Sequence, residues 1–209
     1  MKERPIIFSD PMVRAIQEGR KTQTRRVIKP QPDILSILDE YGLPGTALGY
    51  NRIGVGTTLM KCPYGQPGDL LWVRETWSPW ADELTRQAIS RKGEPCLYKA
   101  DYLEKAPCVV IGGDFHWHPS IHMPKKYARL WLRITNVRVE RLQEISIKDC
   151  KAEGVLCDCP ENEENRCLLG NKGHFKILWD SLNAKRGYSW ESNPWVWVVE
   201  FERYEKTDN

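Results

Sequence analysis

Gly19-Arg20-Lys21-Thr22-Gln23-Thr24-Arg25-Arg26 is the stretch from which the chain is best read. Between Arg14 and Lys29 stand six basic residues (Arg14, Arg20, Lys21, Arg25, Arg26, Lys29) and one acid, Glu18. Six minus one gives +5 locally, against +3 for all 209 residues, so the basic character is concentrated here. No apolar residue stands between Gly19 and Val27. A segment of that kind has no core contacts of its own to hold it. It is either a solvated loop or the lining of a polar site.

The flanks place it. Pro5 to Phe8 reads as a strand. Asp10 can cap a helix, Pro11 suits its first turn, and Met12, Ala15 and Ile16 recur at helical spacing. Gly19 suits the helix end. Thr22 to Ile28 then enters a strand, so the motif falls on a helix-to-strand turn.

Further along, Pro30 to Cys62 reads as a peripheral insertion with one short helix carrying Ile34, Leu35, Ile37 and Leu38. Pro67-Gly68-Asp69 is turn chemistry and leads into an apolar run ending at Arg74, Glu75 and Trp77. Arg74 and Glu75 are adjacent, so on a strand they point to opposite faces and the inward one needs a partner. Cys96 to Tyr98 and Val109 to Ile111 are weak strands. Arg129 to Leu142 is a long strand, bent near Asn136. Ser146-Ile147-Lys148-Asp149 has the form of a capping box and opens a short helix that stops at Gly154. Phe175, Leu178, Trp179 and Leu182 predict a helix over 173–184. After Asn193-Pro194 a closing strand sets Trp195, Trp197, Val199 and Phe201 on one face.

With 41% hydrophobic and 28% charged residues, the composition is that of a globular protein able to bury a core without staples. No window resembles a membrane helix, and the N-terminus has no signal-peptide core, so the expected location is the cytoplasm. There the seven cysteines are thiols or metal ligands rather than disulfides. Cys150, Cys157, Cys159 and Cys167 could form a four-thiolate zinc site. The Cys-x-Cys spacing departs from the usual knuckle, however, and no cofactor is expected ahead of a loose loop. His116, His118 and His122 have no accompanying carboxylate pattern and are read as surface or cleft residues.

Taken on its residues, the basic turn binds an anion, with its threonines as hydrogen-bond donors. The sharper reading makes Thr24 a nucleophile. A threonine hydroxyl needs a base, and Lys21 becomes one if burial and the neighbouring cations Arg20, Arg25 and Arg26 lower its pKa.

The helix followed by Gly-Arg-Lys-Thr-Gln-Thr-Arg-Arg resembles the signature of the ASCH superfamily, whose fold is PUA-like. The segment from Pro67 to Trp77, the helix ending Ala152-Glu153-Gly154 and the closing aromatic strand fall in that family's order. Ser120-Ile121-His122-Met123-Pro124 and Asn193-Pro194-Trp195-Val196-Trp197 resemble segments of phage- and prophage-encoded ASCH-domain proteins. The resemblance covers most of the chain apart from insertions at about 30–63, 78–105 and 155–172.

It implies a single α+β domain: a small PUA-like β-barrel with flanking helices, whose cleft takes RNA or a modified nucleoside. One bacterial branch hydrolyses the acetyl amide of N4-acetylcytidine. Carried over by motif, its base is Lys21, its nucleophile Thr24, and the residue orienting the lysine Glu153. Arg20, Thr22, Arg25, Arg26, Arg74, Glu75 and Trp77 would then contact substrate or nucleic acid, Trp77 by stacking. The chain is longer than those small amidohydrolases, and its insertions could cover or reshape the cleft. The alternatives are a non-catalytic RNA-binding module using the same cations, or a ribonuclease with Lys21 and Glu153 as acid and base.

Overall fold

The computed structural model describes residues 1–37, 46–50, 57–79, 96–101, 116–155 and 169–206. Its main element is a five-stranded sheet built from β1 (Glu3–Ile7), β2 (Gln23–Val27), β6 (Leu70–Arg74), β9 (Trp131–Arg141) and β10 (Trp195–Tyr204), in the order β1-β6-β9-β10-β2. Only β1 and β6 run parallel. The fold is α+β, as expected. Among the described residues three α-helices accompany the sheet: α1 (Asp10–Gln17), α2 (Ile147–Ala152) and α3 (Gly170–Asn183).

The expected barrel is not closed. Among the described strands no backbone ladder joins β1 to β2. Instead α1 carries the chain from one edge to the other. A side chain reaches across the gap: Arg26 Nη2 donates to Ile7 O at 2.7 Å. The edge of β2 is also taken at its start, where Lys21 and Glu153 form an isolated antiparallel bridge.

The sheet is covered on both faces. Ile6, Leu71, Val73, Leu132, Val139 and Phe201 belong to one cluster, with Val13 and Ile16 of α1. Val196 and Val198 point the other way, against Cys150, Phe175 and Trp179. Two buried faces explain why β10 reads as near-continuous apolar sequence rather than as a clean alternation. In β9, Leu132 and Ile134 share a face with Val137 and Val139. A regular period of two forbids that. A bulge opposite Glu200/Phe201 supplies the extra residue, so the bend expected near Asn136 is a one-residue insertion in the ladder. Truncating Trp179, whose Nε1 donates to Tyr188 O at 2.8 Å, should cost on the order of 3–5 kcal/mol.

Residues 34–37, expected to be helical, are strand β3 (Ile34–Ile37). It pairs with β4 (Thr46–Tyr50), and β4 with β5 (Thr57–Lys61). A short apolar run carries no decisive period, and the isoleucines favour a strand. Nor is this sheet wholly peripheral: Ala47 is buried in the main core and Met60 packs against it. α3 begins at Gly170, earlier than position 173. A final two-stranded pair joins β7 (Trp77–Ser78) to β8 (Leu97–Tyr98). Val109–Ile111 and most of 78–105 and 155–172 lie outside the described residues. Among those described, no helix is long and apolar enough to cross a membrane.

Candidate active site

The site begins where α1 ends. Gly19 takes φ +74°, and the amides of Arg20 and Lys21 both donate to Ala15 O at 2.9 Å. That tight stop aims Lys21 inward. A second tight stop meets it. Ser146 and Asp149 form the capping box that starts α2: the Asp149 amide donates to Ser146 Oγ at 3.1 Å, and the Ser146 amide to Asp149 Oδ2 at 3.2 Å. The helix runs for six residues and is capped at its end by Glu153, with Gly154 at φ +82°. A Cβ on Gly154 would stand 3.1 Å from Ala15 Cβ and 3.2 Å from Lys21 Cβ. Glycine is thus required twice at that position, for its conformation and for the close approach of the two turns.

Lys21 is fully buried at its side chain. Its ammonium donates to Glu153 Oε2 at 2.7 Å, Gln23 O at 2.9 Å and Glu153 O at 3.0 Å. Those three acceptors account for all three donors of an ammonium. Burial nevertheless holds the lysine pKa below its usual value. The charge and hydrogen bond of Glu153 oppose that shift, and Arg26 and Arg25 add to it.

Arg25 is equally buried and serves three carboxylates. It bonds to Glu140, lies 3.4 Å from Asp149 Oδ2, and lies 3.3 Å from Glu153 Oε1. Arg138 continues the network through Glu140, Glu200 and Asp149. Glu153 therefore offers one oxygen to Lys21 and the other to Arg25, which fixes its carboxylate plane.

In front of this network lies a cleft of about 790 Å³. Thr24, Arg25, Arg26 and Glu153 line it, opposite Phe175 and Trp179 of α3, with Tyr64, Tyr188 and Arg186 also on its walls. Leu59, Met60 and Lys61 of β5 add a further wall, so the insertion at 30–63 shapes the cleft. Lys21 is not among the lining residues. Thr24 is buried, and among the described residues its hydroxyl makes no hydrogen bond. Arg26 packs over Phe8 and Tyr64, at 5.2 and 5.8 Å. Its Nε is buried without a protein hydrogen-bond partner. Burial is the main cause lowering the Arg26 pKa; Tyr64 and Glu153 oppose it and Arg186 reinforces it.

Lys21, Thr24 and Glu153 are thus gathered at one place, with Arg25 and Arg26. Arg20 turns aside to Glu18 and Gly154 O. Thr22 is exposed, and its backbone ties the turn to Ala152 O and to Phe201 N, each at 2.8 Å. Arg74, Glu75 and Trp77 do not line the cleft. Arg74 donates to the carbonyls of Met123 and Ile121. Glu75 is the inward member of its pair and accepts two 2.9 Å bonds from Arg129, which also holds Asp101. Trp77 is buried in a separate cluster and stacks on His118 at 5.0 Å. Cys150 is buried under α3, whereas Cys157, Cys159 and Cys167 lie outside the described residues. Among the described residues, no group of three metal-ligating side chains forms. Sequence reasoning missed Glu140, Arg138 and the ionic role of Asp149. All three look like ordinary surface charges until β9 and α2 are brought beside β2. Tyr64 and Tyr188 carried no signal at all.

No protein-family model matches the chain, and no curated protein matches it in sequence. Two solved structures are similar to it. One is an ASCH domain from Lactobacillus crispatus, 10% identical, matching 97% of this chain and 79% of its own with a TM-score of 0.41. The other is a protein of Enterococcus faecalis of the DUF984 family, also 10% identical, matching 100% of this chain and 86% of its own with a TM-score of 0.41. Likeness at that level leaves the site to be read from its own geometry.

Proposed function

We propose that this cleft receives a nucleobase and that Thr24, Lys21 and Glu153 hydrolyse an exocyclic amide on it, N4-acetylcytidine being the substrate class. The observation that carries this reading is the Lys21–Glu153 contact of 2.7 Å at a cleft lined by both Glu153 and Thr24, whose hydroxyl makes no hydrogen bond among the described residues. The motif's resemblance to the ASCH amidohydrolases points to the same three residues.

In this reading Lys21 reacts as the neutral amine, a form its burial makes accessible. It takes the proton from Thr24 Oγ1 as that oxygen attacks the acyl carbonyl. The tetrahedral oxyanion is stabilised from the cleft wall by the guanidinium charge of Arg26. Collapse breaks the amide C–N bond, and the lysine ammonium returns the proton to the leaving exocyclic nitrogen. Water then cleaves the acyl-threonine, releasing acetate and restoring the hydroxyl. Glu153, held by Arg25, keeps the lysine in place throughout. Aromatic walls at Phe175, Trp179 and Tyr188 suit the flat base.

The competing reading is a non-catalytic RNA-binding module built on the basic stretch. It is the weaker one because Lys21 and Arg25 are turned inward onto Glu153, Glu140 and Asp149, and Arg20 is paired with Glu18. Cations so engaged are poor phosphate ligands. The test is incubation of the purified chain with N4-acetylcytidine, following cytidine and acetate. Turnover by the wild type and none by Thr24→Ala is expected. A folded wild type that releases nothing overturns the proposal.

A further inference from the structure

We infer that the substrate carries a phosphate, and that Arg186 and Lys29, with Lys61, hold it at the mouth of the cleft while the base lies inside against Thr24. This rests on the nucleobase reading above and adds the substrate class: a nucleotide or a nucleotide within a strand, rather than a free nucleoside.

The cleft lining holds five cations, Arg25, Arg26, Lys29, Lys61 and Arg186, and one carboxylate, Glu153. Glu153 is already shared between Lys21 and Arg25. Among the described lining residues, Lys29, Lys61 and Arg186 therefore face the cleft with no carboxylate of their own. Some exposed cations elsewhere pair with acids, Lys125 and Lys206 with Glu3, Lys176 with Glu191 and Arg133 with Glu202; others, such as Lys126, Lys148, Lys151 and Lys185, pair with none among the described residues, but those do not line the cleft. Among the described residues Lys29, Lys61 and Arg186 pair with none. Arg186 stands close enough to Arg26 to lower the pKa of that guanidinium. Such repulsion is relieved when an anion enters.

Depth separates the two ends. Thr24, Arg25 and Glu153 are buried, whereas Lys29, Lys61 and Arg186 are exposed, so the cations sit at the rim and the reactive hydroxyl sits inside. Lys29 Nζ lies 5.2 Å over the Tyr188 ring, which puts a stacking surface and a cation side by side at the entrance. A base, a sugar and a phosphate present apolar and anionic parts in that order. A planar fork such as Arg186 suits phosphate oxygens. The rim charges also predict a salt-dependent affinity.

The test compares cytidine with cytidine 5′-monophosphate by calorimetry at low salt, using the wild type and a Lys29→Gln/Arg186→Gln double variant. The nucleotide should bind the wild type roughly tenfold or more tightly than the nucleoside, as charge-assisted hydrogen bonds to phosphate imply. That ratio should fall towards one in the double variant. A short oligocytidylate forms the third arm. Tighter binding than the monophosphate assigns the phosphate to a strand, and equal or weaker binding to a free nucleotide. A wild type that binds the nucleotide no better than cytidine, or binds neither, overturns the inference. So does a ratio unchanged in the double variant. The two claims fail separately. Nucleotide binding without hydrolysis of N4-acetylcytidine sinks the catalytic reading alone, and hydrolysis without a phosphate preference sinks only this one.

Discussion

Lys21 Nζ and Glu153 Oε2 stand 2.7 Å apart although 132 residues separate them in sequence, and their side chains are 0% and 5% exposed. Two glycine-ended turns from opposite ends of the chain create that contact. An ion pair so buried is poor support for stability on its own, because desolvating both charges offsets much of their attraction. On the proposed reading its place beside the cleft that Glu153 and Thr24 line serves chemistry.

Removing one partner and removing both should therefore differ. Glu153→Leu leaves the Lys21 charge buried with only carbonyls to face, and should lower unfolding free energy by about 3–5 kcal/mol. Adding Lys21→Met should recover most of that loss. Urea melts read the stability, and amide hydrolysis should stay absent in both variants. Activity in the double variant would make the pair structural only.

Thr24 gives the opposite pattern. Its hydroxyl makes no hydrogen bond among the described residues, so Thr24→Ala should move the urea midpoint little. Hydrolysis should nonetheless be lost, and Thr24→Ser should restore part of it. A large stability loss in Thr24→Ala would show that the residue serves the fold.

Gly154→Ala tests the meeting of the two turns. Its φ of +82° disfavours any side chain, and the new Cβ would crowd Ala15 and Lys21 at 3.1 and 3.2 Å. Both contacts are with short, fixed parts of their side chains. Destabilisation should exceed the ~1 kcal/mol of a lone left-handed alanine. The KM for N4-acetylcytidine should be less affected than kcat, since the displaced group is Lys21.

Asp149 sets an acid limit. Burial raises its pKa, but hydrogen bonds from Ser146 and the charges of Arg25 and Arg138 outweigh that, and the net shift is downward from 3.8. The unfolded chain then binds the proton more readily. Stability contributed by Asp149 is present above pH 3.8 and is lost as pH falls through the lower folded value. Asp149→Asn should flatten the acid limb of a stability–pH curve measured by thermal melts. An unchanged limb would remove Asp149 from the account.

The parts of the site that were legible in the sequence are those with local grammar. Gly19 and Gly154 mark helix ends, Ser146 to Asp149 spell a capping box, and the spacing of Phe175, Leu178 and Trp179 declares α3. Lys21, Thr24 and Glu153 followed from the motif. What was not legible depends on pairing across distance. The basic stretch looked like an anion-binding surface because nothing in the sequence shows that Glu140 and Asp149 will face Arg25. Arg74, Glu75 and Trp77 looked like cleft residues by adjacency to a strong segment. Their partners, Met123, Arg129 and His118, lie 40 to 60 positions away and draw them into a separate core. The open sheet was equally hidden: barrel closure depends on whether β1 and β2 meet, and Arg26 fills that gap with a side chain.

The most direct measurement is the rate of acetate release from N4-acetylcytidine by the wild type and by the Lys21→Met/Glu153→Leu double variant, which should fold. Turnover by the wild type, reduced in the double variant by at least ~100-fold, is the predicted result. A folded wild type that releases no acetate, or a double variant that keeps the wild-type rate, would contradict the claim that this buried pair drives chemistry at Thr24.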